Sequence, residues 1–100
     1  MKLIAHRGNV QGPQDTENSP SYLDSAIENG FDVEIDVRYD RYSHNWYLGH
    51  DFAQYKIDWQ WLLSRQDNLW IHCKNLDAIT QLHDFPNFNF FWHQAEPRRT

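Results

Sequence analysis

Residues 31–37 constrain the fold of this chain more than any other segment. They read Phe-Asp-Val-Glu-Ile-Asp-Val, in which apolar and acidic side chains alternate without exception. Because successive side chains of a strand point to opposite faces, this segment predicts a strand with one apolar face and one face of carboxylates. The apolar face requires a covering layer, so we expect helices on that side of a sheet.

The residues before this strand predict a helix with both ends marked. Asn18 or Ser19 can cap its free N–H groups, and Pro20 suits its first position. Gly30 supplies a left-handed exit. A narrow apolar stripe at i, i+3 and i+4 lies between the two ends and consists of Leu23, Ala26 and Ile27.

Short apolar runs and turn residues predict the remaining elements. Strands are expected at residues 2–6, 45–51, 69–74 and 88–92, and helices at residues 58–64 and 75–83. The order β-loop-α-β-β-α-β-α-β predicts an α/β fold with a mainly parallel sheet of about five strands. The loop at residues 8–18 is long for a strand-to-helix connection, which makes it a functional candidate.

Composition narrows the class of protein. The 100 residues fit one small domain, and a net charge of −5 argues against a general nucleic-acid or anionic-membrane binder. No apolar run approaches the roughly 18 residues of a membrane span, and residues 1–5 are too few for a signal-peptide core. The single Cys73 fits a reducing compartment, and we expect it to be buried and inert. A cytoplasmic location is therefore predicted.

Polar side chains end each of the five main predicted strands. They are His6 and Arg7, Glu34 and Asp36, His50 and Asp51, His72 and Lys74, and His93 and Gln94. The carboxyl ends of parallel strands meet on one face, where α/β folds place their ligands. The five polar ends are therefore expected to converge. We interpret His44, His83 and His93 as structural, and Trp59, Trp61 and Trp70 as core.

The residue types at these ends suggest a chemistry. Glu34 and Asp36 share one side of their strand and can hold a hard divalent cation, Mg²⁺ or Ca²⁺. His6 and His50 are candidates for the general acid and base, because histidine exchanges protons near neutral pH. Arg7 offers a planar fork suited to phosphate oxygens.

Four motifs, in this order, resemble the opening motifs of the glycerophosphodiester phosphodiesterases. They are Ile4-Ala5-His6-Arg7-Gly8, Glu17-Asn18-Ser19, residues 30–37 and Gly49-His50-Asp51, and the resemblance covers residues 3–75. It implies a (β/α)₈ barrel, as in the related phosphatidylinositol-specific phospholipases C. It also implies acid–base roles for His6 and His50, phosphate contact by Arg7 and metal binding by Glu34 and Asp36.

Four further site residues can be compared with the family, and at one of them, His72, the chain departs from it. Glu17 and Asn18 match the motif that braces the site, and Lys74 matches a lysine that we expect to bind phosphate. His72 stands where the family usually has a third metal carboxylate, and we expect it to line the site or bind substrate.

The resemblance implies metal-dependent hydrolysis of a small-molecule phosphodiester of the glycerophosphodiester type, through attack by the substrate's own hydroxyl. A complete barrel needs about 250 residues, so we predict only its N-terminal part at residues 1–94, followed by a polar tail at residues 95–100. The alternative is a catalytically inactive half-barrel that binds anions or associates with another chain, for example a homodimer that completes the barrel.

Overall fold

The computed structural model describes residues 3–9 and 17–92. The described strands are β1 (Ile4–His6), β2 (Asp32–Asp40), β3 (Asn45–Leu48), β4 (Tyr55–Ile57), β5 (Leu69–Cys73) and β6 (Asn89–Trp92). The helices are α1 (Pro20–Glu28), α2 (Trp59–Ser64) and α3 (Leu76–Leu82), and a 3₁₀ turn covers Gln66–Asn68. The predicted tail at residues 95–100, together with His93 and Gln94, lies outside the described residues.

The six strands form one mixed sheet in the order β4-β3-β2-β5-β6, and β1 also pairs with β2. The pairs β1–β2, β2–β5 and β5–β6 are parallel, whereas β2–β3 and β3–β4 are antiparallel. β2 therefore has three partners. It pairs with β1 along residues 32–34, with β3 along residues 37–40 and with β5 along residues 33–37.

The predicted N-terminal part of a (β/α)₈ barrel, with a mainly parallel sheet of about five strands, is wrong. The sheet is mixed and has six strands. Connection length is the physical reason, because residues 41–44 join β2 to β3 and residues 49–54 join β3 to β4. A parallel crossover needs a dozen or more residues, so both connections reverse the chain direction. A homodimer that completes a barrel loses its basis with this correction.

Helix caps lie where the sequence predicts them. Ser19 caps α1, and its Oγ accepts a hydrogen bond from the Tyr22 backbone N–H at 3.3 Å. The Asp58 carboxylate accepts from the Trp61 N–H at 2.9 Å and begins α2. Each such cap stabilises a helix by about 1 kcal/mol. Capping fixes where these short helices begin, and hence which of their residues face the sheet.

The helices cover one face of the sheet, and the core lies between the two layers. Val33, Ile35 and Val37 of β2 are fully buried there, as the alternation predicts. Their core partners on the helices are Leu23, Ala26, Leu62, Ala78 and Leu82. Cys73 is also buried in this core, and burial raises the pKa of its thiol to about 12. Its predicted buried position is confirmed.

The aromatic residues divide between the core and the open surface. Trp46 is buried, Trp59 packs against it with ring centroids 5.5 Å apart, and both line a cavity of about 420 Å³ that Phe85 also borders. Trp61 is half-buried against the core. Trp70 is 39% exposed, so its predicted place in the core is wrong. Its alternating position on β5 directs it away from the helices.

The face opposite the helices carries the acidic side of β2. Strand register places Ile4 and Trp70 on this face, next to Asp32 and Glu34 respectively, and Phe91 next to His72. We call this surface the open face. None of the helices in the described ranges is long and apolar enough to cross a membrane.

Candidate functional site

Asp36 is the centre of a polar cluster on the open face. Its Oδ2 accepts a hydrogen bond from Asn18 Nδ2 at 2.9 Å, and Arg7 Nε also lies 2.9 Å from Oδ2. His72 Nδ1 lies 3.2 Å from Oδ1, and His50 Nδ1 lies 3.6 Å from Oδ2. Four of the residues that the sequence predicts for the site therefore surround a fifth. We call these five residues the Asp36 cluster.

Arg7 connects the cluster to the rest of the site. Its Nη1 donates to Glu17 Oε2 at 2.8 Å, and its Nη2 lies 2.7 Å from His50 Nδ1. Its Nε is buried and lies close to Asp36, but the contact lacks hydrogen-bond geometry. One guanidinium thus contacts two carboxylates and an imidazole.

Backbone geometry at the end of β1 places Arg7. Arg7 (φ 54°) and Gly8 (φ 84°) turn the chain through the left-handed region directly after the strand. A Cβ on Gly8 would lie 3.0 Å from a ring carbon of Tyr22 and 3.1 Å from a methyl group of Leu23. Gly8 therefore lets α1 approach the end of β1. Asn18 also has a positive φ, 69°, and donates its backbone N–H to the Arg7 carbonyl at 3.0 Å.

His50 reaches the cluster from an antiparallel strand. β3 runs back along β2, and the Gly49 N–H donates to the Asp36 carbonyl at 3.0 Å. Arg38 holds this segment, because its guanidinium donates to the carbonyls of Gly49 at 3.2 Å and His50 at 2.7 Å. A Cβ on Gly49 would overlap the Phe52 carbonyl oxygen. His50 therefore converges with Asp36, but through a reversal of the chain and not through parallel strand ends.

His6 and Glu34 form a second pair on the open face. The two residues are register partners on β1 and β2, and His6 Nε2 lies 3.6 Å from Glu34 Oε1. The His6 side chain is 57% exposed and that of Glu34 is 28% exposed. Glu34 precedes Asp36 by two positions, so this pair lies beside the Asp36 cluster on the same face.

His72 is held on two sides. It is the register partner of Asp36 on β5, and its ring stacks on Phe91 with centroids 4.9 Å apart and planes 7° from parallel. Lys74 follows β5, and its backbone N–H donates to the Val37 carbonyl at 2.8 Å. Arg38 and Phe91 were not predicted as site residues from the sequence. Arg38 lies two positions after Asp36, so the alternation of β2 could have placed it on the open face.

Asp36 carries a negative charge at neutral pH. Burial would raise the pKa of this carboxyl. The hydrogen bond from Asn18 and the positive charge of Arg7 act in the opposite direction, and His50 and His72 add to their effect. The pKa of Asp36 consequently lies below its ordinary value of 3.8.

Arg7 and Glu17 stabilise each other's charge. Burial would lower the pKa of Arg7, but its hydrogen bond to Glu17 and the carboxylate of Asp36 raise that pKa overall. The hydrogen bond from Arg7 is the main cause that lowers the pKa of Glu17 below 4.5. The site therefore contains a permanent cation with two carboxylates beside it.

The sequence predicts that Glu34 and Asp36 bind Mg²⁺ or Ca²⁺, and their contacts show whether they are placed to do so. Within residues 3–9 and 17–92, no three His, Cys, Asp or Glu side chains are arranged to hold a metal ion. Both Asp36 oxygens face protein groups, and Glu34 lies against His6. The two predicted metal carboxylates therefore contact protein groups instead, and the residues as placed do not fit a divalent cation.

The chain was compared with known proteins in three ways. No protein-family model, no curated protein and no solved structure matches it.

Proposed function

We propose that this chain hydrolyses phosphodiesters of the glycerophosphodiester class by histidine acid–base catalysis, in the cytoplasm. The observation that carries the proposal is the Arg7 guanidinium, which lies between the Asp36 carboxylate and the His50 imidazole on the open face of the sheet. The resemblance of residues 3–75 to the glycerophosphodiester phosphodiesterases supports the substrate class. The buried thiol of Cys73 suits a reducing compartment.

Arg7 is the group that binds the phosphate. A guanidinium presents parallel N–H donors that match two oxygens of a phosphodiester anion. Arg7 Nη2 now lies against His50, and the Arg7 side chain is 20% exposed, so a ligand on the open face can reach it. The bound phosphate replaces the contact between Arg7 and His50 with one between Arg7 and a phosphate oxygen.

His50 is the general base in this proposal. A guanidinium only donates hydrogen bonds, and Arg7 Nη2 lies 2.7 Å from His50 Nδ1, so the base in this proposal is the tautomer whose Nδ1 carries a lone pair. When the phosphate takes over Arg7 Nη2, the lone pair on Nδ1 becomes available. It removes the proton from a substrate hydroxyl, and the hydroxyl oxygen forms a bond to phosphorus.

His6 is the general acid. Its Nε2 lies 3.6 Å from Glu34 Oε1, and its exposure lets it meet a leaving group. The bond from phosphorus to the leaving oxygen breaks, and His6 gives that oxygen its proton, so an alcohol departs and a cyclic phosphate remains. Water then opens the ring. His6 takes a proton from the water, and His50 returns its proton to the oxygen released from phosphorus.

The test uses the purified full chain with glycerophosphocholine, and follows release of the alcohol. The variants His50→Gln and His6→Gln should each lower the rate by about 10²–10⁴-fold, the range for loss of a general acid or base. His83→Gln is the matched control, because the His83 side chain, at the C-terminal end of α3, is 82% exposed and contacts Asp84. Its rate should equal that of the wild type.

A model diester without an internal hydroxyl, bis(p-nitrophenyl) phosphate, separates two mechanisms. Attack by the substrate's own hydroxyl predicts hydrolysis of glycerophosphocholine and little hydrolysis of the model diester. The proposal is wrong if the wild type hydrolyses neither compound, or if both histidine variants retain the full wild-type rate.

A second candidate is association with another copy of the chain. Ile4, Trp70 and Phe91 are 48%, 39% and 38% exposed on the open face, and β6 leaves one edge of the sheet unpaired among the described strands. Burying these side chains against a second copy would remove apolar area from water. Sedimentation velocity distinguishes the cases: Trp70→Ser should dissociate a dimer, and a wild-type monomer at all concentrations rules this candidate out.

A further inference from the structure

The surroundings of Asp36 point to a way of binding phosphate that needs no metal ion. Four side chains lie around its carboxylate: Asn18, Arg7, His50 and His72. A divalent cation would need those same oxygens as ligands. Its approach would also bring a double positive charge close to Arg7, whose own charge does not titrate in proteins.

His72 also makes this position unsuited to Mg²⁺ or Ca²⁺. Mg²⁺ and Ca²⁺ prefer oxygen ligands, and His72 offers a nitrogen where the resembled family has a carboxylate. Its Nδ1 faces Asp36 Oδ1, and Phe91 fixes the plane of its ring. The ring therefore supports the carboxylate and does not add an oxygen to a metal site.

Glu34, the other predicted metal carboxylate, lies in a different environment. It pairs with the exposed ring of His6 and is itself 28% exposed. Asp36 is almost fully buried. The two carboxylates thus differ in burial and in partners, and a cation between them would have to break contacts of both.

We infer that Arg7 takes the place of a divalent cation at Asp36, with His72 supporting the carboxylate, so that the site binds a phosphate group without a metal ion. The inference rests on the proposed function for its ligand class, and it opposes the metal dependence that the motif resemblance implies. Arg7 supplies the permanent positive charge, and Asp36, supported by His72 and Asn18, holds Arg7 in place.

The test follows the histidine ring signals of the labelled full chain by NMR. Inorganic phosphate should shift the signals of His50 and His72. Paramagnetic Mn²⁺, which binds the same oxygen ligands as Mg²⁺, should leave these two signals as sharp as that of His83, which serves as the internal control. Selective broadening of His50 and His72 by Mn²⁺ would overturn the inference, as would the absence of any phosphate shift.

The variant His72→Glu tests the same inference by a gain of binding. With a carboxylate at position 72 beside Asp36, Mn²⁺ should bind and broaden the NMR signal of the His50 ring, which stays sharp in the wild type. Arg7→Gln should abolish the phosphate shift. If His72→Glu does not fold, the wild-type titrations still decide.

Hydrolysis with and without a chelator separates this inference from the proposed function. Equal rates of glycerophosphocholine hydrolysis in EDTA and in Mg²⁺ support both. Hydrolysis that requires Mg²⁺ would support the proposed function and would overturn the inference that the site works without a metal ion. Phosphate binding without Mn²⁺ binding, but with no hydrolysis, supports the inference and rejects the catalytic proposal.

Discussion

Ile35 and Asp36 are consecutive residues of β2, and they allow a direct comparison of the two faces of the sheet. Ile35 is fully buried and Asp36 is 2% exposed. Apolar side chains of the core surround Ile35, and removing this side chain from water stabilises the folded chain. Asp36 is a charge that burial disfavours unless it is paired. The two residues are therefore buried for different physical reasons. The hydrophobic effect buries Ile35, whereas charge pairing allows Asp36 to be buried.

The largest effect should follow from removing the charge of Asp36. Asp36→Asn keeps the shape of the side chain but leaves Arg7 Nε without the carboxylate 2.9 Å away. Removing one partner of a buried ion pair costs about 3–5 kcal/mol. We expect a loss near the lower end, about 3 kcal/mol, because Arg7 keeps its contact with Glu17. Urea denaturation followed by tryptophan fluorescence measures it.

Asp84→Asn is the control for this variant. The Asp84 side chain is 84% exposed, so the same chemical change should alter the free energy of unfolding by less than about 0.5 kcal/mol. Equal losses in the two variants would show that the Asp36 cluster does not stabilise the fold.

Acid should lower the free energy of unfolding through the carboxylates of the open face, whereas the contribution of the apolar core should not change with pH. The pKa values of Asp36 and Glu17 lie below 3.8 and 4.5 in the folded chain, and the unfolded chain takes those ordinary values. The unfolded state then binds more protons as the pH falls through this range. The stabilisation is complete above the ordinary values and is lost as the pH falls through the lower, folded ones. Urea midpoints across this range should fall less steeply in Asp36→Asn than in the wild type, and identical slopes would contradict the assignment.

The smallest of these effects should come from the core. Ile35→Val removes one buried methylene group and should cost about 1 kcal/mol. The cost should be the same at neutral and at acidic pH, because no charge is involved. Ile4→Val is the matched control, because Ile4 is 48% exposed on the open face and should lose less than about 0.5 kcal/mol. A pH-dependent cost at Ile35 would break the comparison.

Local structure was largely predictable from the sequence. The alternation at residues 31–37 identifies both faces of β2, and the cap at Ser19 and the left-handed exit at Gly30 bound α1 correctly. These features depend on neighbouring residues only. The burial of Ile35 in the core and the place of Asp36 on the opposite face both follow from that one alternating pattern.

Strand direction and long-range pairing were not predictable in the same way. A period of two is the same in parallel and antiparallel strands, so only the short connection at residues 41–44 indicates that β3 runs back. β4 has three residues with an exposed Lys56 at its centre, and it gives no apolar run. The contact of His72 with Asp36 depends on the register between β2 and β5, which local patterns do not specify.

The three partners of β2 have a consequence for folding. The β2–β3 hairpin closes across residues 41–44, whereas β1 and β5 are joined to β2 by much longer stretches of chain. The entropic cost of loop closure is therefore smaller for the hairpin. Arg7 follows β1 and His72 lies on β5, so the cluster is complete only when both of these strands have paired with β2. A ligand bound there at a hundred times its Kd would stabilise the entire chain by about 2.7 kcal/mol. Phosphate should therefore raise the Tm of the intact chain.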